Sequence, residues 1–134
     1  MSGEQRHMPP APLTVVDVGR EAASFAPGAP NRMMARVNDS GVRLAVFQGE
    51  GDWHSHAGTD ECFLVLEGEL ALDIFEGATL HVGPGQLVTI AGGTVHRPRS
   101  ATRSVMLCFK RLEGHTDYFE LVAPEADASS ATLG

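Results

Sequence analysis

The sequence predicts an all-β protein, a sandwich or barrel of short antiparallel strands. Short runs of apolar and β-branched residues recur along most of the chain, and turn-forming residues separate them at close intervals. No long segment has the 3.6-residue apolar period of an amphipathic helix. Many short strands joined by tight turns are typical of antiparallel sandwiches and barrels.

Each predicted strand ends at a recognisable turn signal, such as Glu-Gly at 67–68 or Gly-Pro-Gly at 83–85. One helical turn is expected within 19–26 and another within 114–121. The predicted strands are 14–18, 33–38, 42–48, 53–56, 61–66, 69–75, 78–82, 86–90, 95–98 and 104–111.

Length and composition indicate one domain with ordered and flexible parts. A chain of 134 residues with 43% hydrophobic content can bury a core without disulfide support. Residues 1–12 contain three prolines and are expected to form a flexible arm, and 123–134 are small and polar and are expected to form a flexible tail. Residues 13–122 then form the single domain.

Charge, cysteine spacing and hydropathy indicate the class of partner, the state of the thiols and the location of the protein. The net charge of −7 argues against nucleic acid or an anionic membrane surface, because both are bound through clustered Lys and Arg. Cys62 and Cys108 lie in apolar runs without CxxC spacing, so we expect free buried thiols. No apolar leader and no run of transmembrane length is present, which predicts a cytoplasmic protein.

Three histidines and one glutamate form the strongest chemical pattern. His54 and His56 are two residues apart, Glu61 follows five positions later, and His96 ends the segment AGGTVH. Residues two apart in a strand point to the same face, so the first two imidazoles project together. Three imidazoles and one carboxylate suit a divalent transition metal such as Mn, Fe, Ni or Zn, and the residues do not distinguish among these.

Other side chains near this pattern leave alternatives open. Asp60 also stands at the predicted strand start and is an alternative ligand to Glu61. Arg97 and Arg99, beside His96, are either a solvated edge or a clamp for an anionic substrate. Three further histidines have no ligand spacing around them and are expected to be ordinary surface or core residues: His7, His81 and His115.

With these residues in view, the chain resembles the cupin family. Segment 54–68 has the spacing of the first cupin motif, H-x-H-x4-E-x6-G, and segment 85–96 that of the second, G-x5-A-G-G-T-V-H. The resemblance covers roughly residues 33–110. It implies a cupin-type double-stranded β-helix, a jelly-roll sandwich or barrel, with His54, His56, Glu61 and His96 as metal ligands.

The resemblance also bounds the function. Similar cupins include dioxygenases, isomerases, decarboxylases and lyases, and also non-catalytic binding modules, so the fold does not fix the reaction. We expect a small metalloenzyme, of dioxygenase, isomerase or lyase type, that acts on a small polar oxygen-rich molecule. The alternative is a non-catalytic binding or sensor module with a bound metal. Segment 61–66 is apolar on both faces, which predicts a homodimer.

Overall fold

The computed structural model describes residues 8–121, which form nine strands and one short helix, α1 (Val18–Ala23). This confirms the predicted all-β class. Within this part of the chain, no helix has the length and apolarity needed to cross a membrane. The strands are β1 (Arg32–Val37), β2 (Ser40–Glu50), β3 (Trp53–Ala57), β4 (Glu61–Glu67), β5 (Leu70–Ile74), β6 (Thr79–Val82), β7 (Leu87–Ile90), β8 (His96–Arg111) and β9 (His115–Phe119).

Strand β8 organises the sheet. It is 16 residues long and pairs antiparallel with four other strands: β2, β3, β4 and β5. The remaining strands extend this arrangement, because β1 pairs with β2, β9 with β3, β6 with β5 and β7 with β4. A long strand with partners along both edges wraps the sheet around a common interior.

Two apolar clusters lie on opposite faces of the β2–β8 pair. The interior cluster contains Leu70, Leu72 and Val65, none of which exposes any surface. The outer cluster is formed where α1 and the segment after it cover the sheet, with Phe25 packed near Leu44. Each such fully buried leucine contributes roughly 1.5–3 kcal/mol to folding relative to an exposed one.

This outer cluster accounts for part of the two-sided apolar pattern of 61–66. Phe63 and Val65 face the interior, whereas Leu66 packs against the outer cluster. The homodimer expected from that pattern therefore rests on the remaining outer positions of β4, Cys62 and Leu64, which are half-buried.

Most predicted strands are confirmed, and three expectations are corrected. The strands predicted between 33 and 90 correspond to β1–β7. The two predicted at 95–98 and 104–111 are the ends of the single strand β8, because pairing with β2 bridges them.

The tight hairpin predicted at Gly68 requires glycine. This residue has φ +80°, and a Cβ there would lie 2.5 Å from the Arg103 carbonyl oxygen.

The other two corrections concern the segments that flank the sheet. No strand forms at 14–18, since Asp17 caps α1 by accepting a hydrogen bond from the Arg20 backbone N–H at 3.1 Å. The helical turn expected within 19–26 is present as α1, but the one expected within 114–121 is wrong. That segment is strand β9, which pairs with β3.

The expected terminal segments are described only in part. Residues 8–12 of the predicted arm have no regular secondary structure apart from a turn that begins at residue 12. Residues 1–7 and the predicted tail, 123–134, lie outside the described residues.

Candidate metal centre

The structure brings the three histidines and the glutamate of the sequence pattern together. His54 and His56 lie on β3, Glu61 begins β4 and His96 begins β8. One ligand-type atom from each of the four lies within 4.8 Å of the others. His96 is 1% exposed, and His56 and Glu61 are also buried, so three of these four polar groups have been removed from bulk water.

Backbone pairing sets the positions of these side chains. His54 is directly opposite His96 in the β3–β8 ladder. The loop before β8 is tied to the other two elements, because the Gly93 N–H donates to the His56 carbonyl oxygen at 2.9 Å. The Gly92 N–H donates to Asp60 Oδ1 at 2.9 Å. Asp60 therefore holds the loop and stands outside the cluster, which leaves Glu61 as its carboxylate.

Each imidazole is oriented by a hydrogen bond at Nδ1. The Nδ1 of His54 lies 2.8 Å from the Asp52 carbonyl oxygen, and that of His96 lies 2.8 Å from the Thr94 carbonyl oxygen. A carbonyl oxygen only accepts, so Nδ1 donates in both rings and Nε2 carries the lone pair. The Nδ1 of His56 contacts the Thr116 hydroxyl at 3.0 Å. Metal-binding histidines are oriented in this way in general.

Three inward atoms of the cluster are buried without hydrogen-bond partners: His56 Nε2, His96 Nε2 and Glu61 Oε1. Glu61 Oε1 is 3.1 Å from the first nitrogen and 3.6 Å from the second. Lone pairs that face one another at these distances repel, and buried polar atoms left unpaired are costly. A cation among them would satisfy all three, so this donor set suits a divalent metal ion.

Electrostatics favour the ligand forms of these groups. Burial lowers the pKa of His54 below its ordinary value, with a smaller contribution from the neighbouring His96 and His56. Burial alone raises the pKa of Glu61, but the two buried imidazoles, if they were protonated at Nε2 and donated to it, would outweigh burial and bring that pKa to about 2. Such bonding requires a proton on Nε2, so protons and a metal compete for the same atoms.

The cluster opens into an interior cavity of about 520 Å³. Apolar side chains make up much of the wall, with Lys110 and Tyr118 among its polar members. Cys108 also lines it, but burial raises the pKa of this thiol far above its ordinary value, so it stays protonated. Both cysteines are free, as expected, but only Cys108 is buried, and Cys62 is half-buried.

Arg97 and Arg99 are neither a solvated edge nor an open clamp, because both pair with the buried Asp73, although Arg99 itself is partly exposed. Arg97 Nη2 lies 2.8 Å from Asp73 Oδ2, and Arg99 Nε lies 2.7 Å from the same oxygen. Arg97 also lies over the Trp53 ring, 4.9 Å from its centroid. The hydrogen bonds from Arg99 lead the contacts that lower the pKa of Asp73.

The two other histidines of the described part of the chain lie outside the cluster. His81 is exposed on β6, and His115 Nε2 pairs with Asp117 Oδ1 at 2.8 Å on the exposed strand β9. His7 lies outside the described residues. Sequence reasoning missed Arg43 and Lys110, which share the inward parity of cavity residues on β2 and β8. A charged residue on an otherwise apolar inward face, as in Arg43-x-Ala45, was the available signal.

Comparison with known proteins shows the family of this chain. Residues 42–110 match the family model described as Cupin domain. YdbB of Bacillus subtilis, an uncharacterised protein, is 46% identical over 90 residues, which are 67% of this chain and 80% of that protein. The resemblance to cupins noted in the sequence is thereby confirmed.

Two solved structures show the same fold. A cupin-2 domain containing protein from Shewanella frigidimarina has a TM-score of 0.69 and 27% identity, over 72% of this chain and 94% of that one. Hydroquinone 1,2-dioxygenase from Sphingomonas sp. TTNP3, solved with 4-hydroxybenzoate bound, has a TM-score of 0.62 and 16% identity, over 74% of both chains. At 16% identity the second likeness concerns the fold alone.

Proposed function

Because this chain belongs to the cupin domain family, we propose that it is a small metalloenzyme that acts on a small, oxygen-rich molecule. The proposed ligands are His54, His56, Glu61 and His96. The observation that carries the proposal is the set of buried, partnerless nitrogen and oxygen atoms that face one another beside a cavity of about 520 Å³.

A divalent metal held by these residues would supply Lewis acidity or a redox centre to a bound oxygen-rich molecule. The protein supplies orientation and charge. The carbonyl oxygens of Asp52 and Thr94 fix two imidazoles with Nε2 inward, and Thr116 fixes the third. Glu61 contributes the one negative charge of the cluster. Three neutral imidazoles and one carboxylate leave a divalent site with a net positive charge, which attracts anionic or oxygen-rich ligands.

Apolar side chains around the cavity limit the access of water. Phe63 and Met106 are buried in the interior cluster, and Phe47 packs against it. A water-poor wall strengthens electrostatic contacts between the site and a bound molecule. The same fold holds 4-hydroxybenzoate in the Sphingomonas dioxygenase, so a small-molecule ligand is compatible with the fold.

A non-catalytic binding or sensor module is the second candidate. Within residues 8–121, the wall of this cavity carries only two carboxylates, Asp52 and the proposed ligand Glu61. Lys110 and Tyr118 are the other described wall residues that could transfer protons, apart from the proposed ligands and the protonated Cys108, and this small number favours binding without turnover.

Metal content tests the proposal first. The protein is purified without chelator and its metal is measured by elemental analysis, with His81→Ala as the control because His81 is exposed and outside the cluster. Stoichiometric Mn, Fe, Ni or Zn in both proteins supports the site. Turnover of a panel of hydroxy acids, diketones and phenols then separates the enzyme from the binding module. Absence of metal after loading would contradict both.

We also propose a cytoplasmic homodimer. Two free thiols suit a reducing compartment. The outer face of the β4–β7 pair places Leu64 opposite Leu87, whose side chain is 63% exposed, and burial of this patch would favour self-association. Light scattering at micromolar concentration should give twice the chain mass of 14.2 kDa, and a clean monomer would contradict the dimer.

A further inference from the structure

Two cationic side chains lie beside the proposed metal centre. Arg43 on β2 is opposite Cys108 on β8, and Lys110 follows two residues later on the same face. Diagonal neighbours of this kind are roughly 7–8 Å apart across a strand pair. Both residues line a cavity of about 320 Å³ that also contacts His56 and Thr116.

In the described part of the chain, these charges have no direct ion-pair partner, although Lys110 lies near enough to Glu61 to lower the pKa of that carboxyl. Arg43 Nη1 is buried and has no hydrogen-bond partner. Among the ion pairs of residues 8–121, none involves Arg43 or Lys110. The described wall of this smaller cavity contains no aspartate or glutamate, although the chain carries a net charge of −7. A buried cationic donor without a hydrogen-bond partner is destabilising, and an anionic ligand would satisfy it.

Other arginines of the fold do have partners. Arg103 Nη2 donates to the Ala22 carbonyl oxygen at 2.6 Å, and Arg97 and Arg99 both reach Asp73. Arg43 differs from these three arginines. It also differs from Arg32, Arg36 and Arg111, whose side chains donate hydrogen bonds too. Its free nitrogen is turned toward the interior rather than toward a neighbouring carboxylate or carbonyl.

We infer that Arg43 and Lys110 form an anion subsite for a carboxylate or phosphate group of the bound molecule. This subsite rests on the proposed function. It implies that the substrate is a small anion with metal-binding oxygens at one end and the anionic group at the other. The smaller cavity and the metal-site cavity share His56, Lys110 and Thr116, so one molecule can reach both. The planar guanidinium suits bidentate contact with either oxyanion, and the ammonium adds a point charge.

The test uses the folded, metal-free protein and two probes, inorganic phosphate and succinate, titrated by calorimetry. We expect at least one to bind wild type, and to bind Arg43→Gln and Lys110→Met about tenfold or more weakly, because each variant removes a charged hydrogen bond. Arg36→Gln is the matched control, since Arg36 is exposed on β1 and lines neither cavity. The probe that binds more tightly identifies the anion.

Wild type that binds neither probe, or variants that bind as tightly as wild type, would overturn the subsite. Circular dichroism checks folding, and Arg43→Lys, which keeps the charge and should retain part of the affinity, replaces Arg43→Gln if that variant is unfolded. Metal binding by the same proteins is measured separately, after metal is added back. Anion binding without metal binding would defeat the proposed function alone, and metal binding with indifference to anions would defeat the subsite alone.

Discussion

Two buried polar clusters of this protein differ in how completely their hydrogen bonds are made. Around Asp73, both carboxylate oxygens accept hydrogen bonds, from Arg97, Arg99 and Thr79. Around Glu61, the inward atoms of the carboxylate and of two imidazoles have no hydrogen-bond partner. The network around Asp73 has its hydrogen bonds complete and holds strands β5, β6 and β8 together. The atoms around Glu61 lack partners within the protein, which is an arrangement that suits a bound ion.

Removing a histidine of the Glu61 cluster tests the difference between the two clusters most directly. His96→Ala and His56→Ala should abolish tight metal binding, because each deletes one of four donors and leaves the others in place. The fold should be kept, since the apolar core is built from strand interiors. Elemental analysis and circular dichroism provide the measurements, with His81→Ala as the control. Stoichiometric metal in the variants would refute the ligand assignment, and global unfolding would refute the claim that folding does not need these side chains.

The opposite result is expected at the network around Asp73. Asp73→Asn should lower the free energy of unfolding by about 2–3 kcal/mol, less than for a fully buried pair because Arg99 is partly exposed. Metal binding should be unchanged. Urea unfolding with metal analysis separates the two effects. Lost metal together with unchanged stability would reverse the roles assigned to the two clusters.

This stabilisation should also depend on acid. The arginine contacts hold the pKa of Asp73 below its ordinary value, so the folded state binds fewer protons than the unfolded state. The contribution is therefore complete above the ordinary aspartate pKa of about 3.9 and is lost as the pH falls below it. The difference between wild type and Asp73→Asn should shrink over that range, and a difference that grew there would contradict the ion network.

Metal binding by the histidine and glutamate cluster should depend on pH in another range. Metal affinity should rise from pH 5 to 8, because protons and metal compete for the Nε2 atoms of the histidines. The lowered pKa of His54 reduces its share of this competition. Glu61, with a pKa of about 2, is ionised throughout and should not set the profile. Glu61→Gln should keep the slope at lower affinity, and a flat wild-type profile would exclude the histidines as ligands.

Local spacing made the grouping of the three histidines and Glu61 predictable, because strand parity places His54 and His56 on one face and the second motif supplies His96. The fold class followed from the short apolar runs and their turns. What depended on strand register was not predictable. The capture of Arg97 and Arg99 by Asp73 requires the β5–β8 pairing, and the neighbourhood of Arg43 and Lys110 requires the β2–β8 pairing. Strand β9 was missed because its strand character depends on pairing with β3.

The smallest expected effect concerns the hydrogen bond that orients one of the three cluster histidines. Two of the three imidazoles are oriented by backbone carbonyl oxygens, which no substitution removes, but His56 relies on the side-chain hydroxyl of Thr116. Thr116→Val keeps the shape of the side chain and removes that partner. Metal affinity should fall about tenfold, at the lower end of the effect of losing a group that orients a ligand.

Thr116→Ser is the matched control, because it keeps the hydroxyl and should bind metal nearly as wild type does. Competition with a chromogenic chelator at pH 7.5 measures both variants on one scale. Equal affinities for the valine and serine variants would mean that the packing of β9 against β3, rather than the hydroxyl, orients His56. A loss as large as that of His56→Ala would instead mean that the whole edge of the site had moved. Only an intermediate loss confined to the valine variant fits an imidazole that is held at Nδ1 and binds through Nε2.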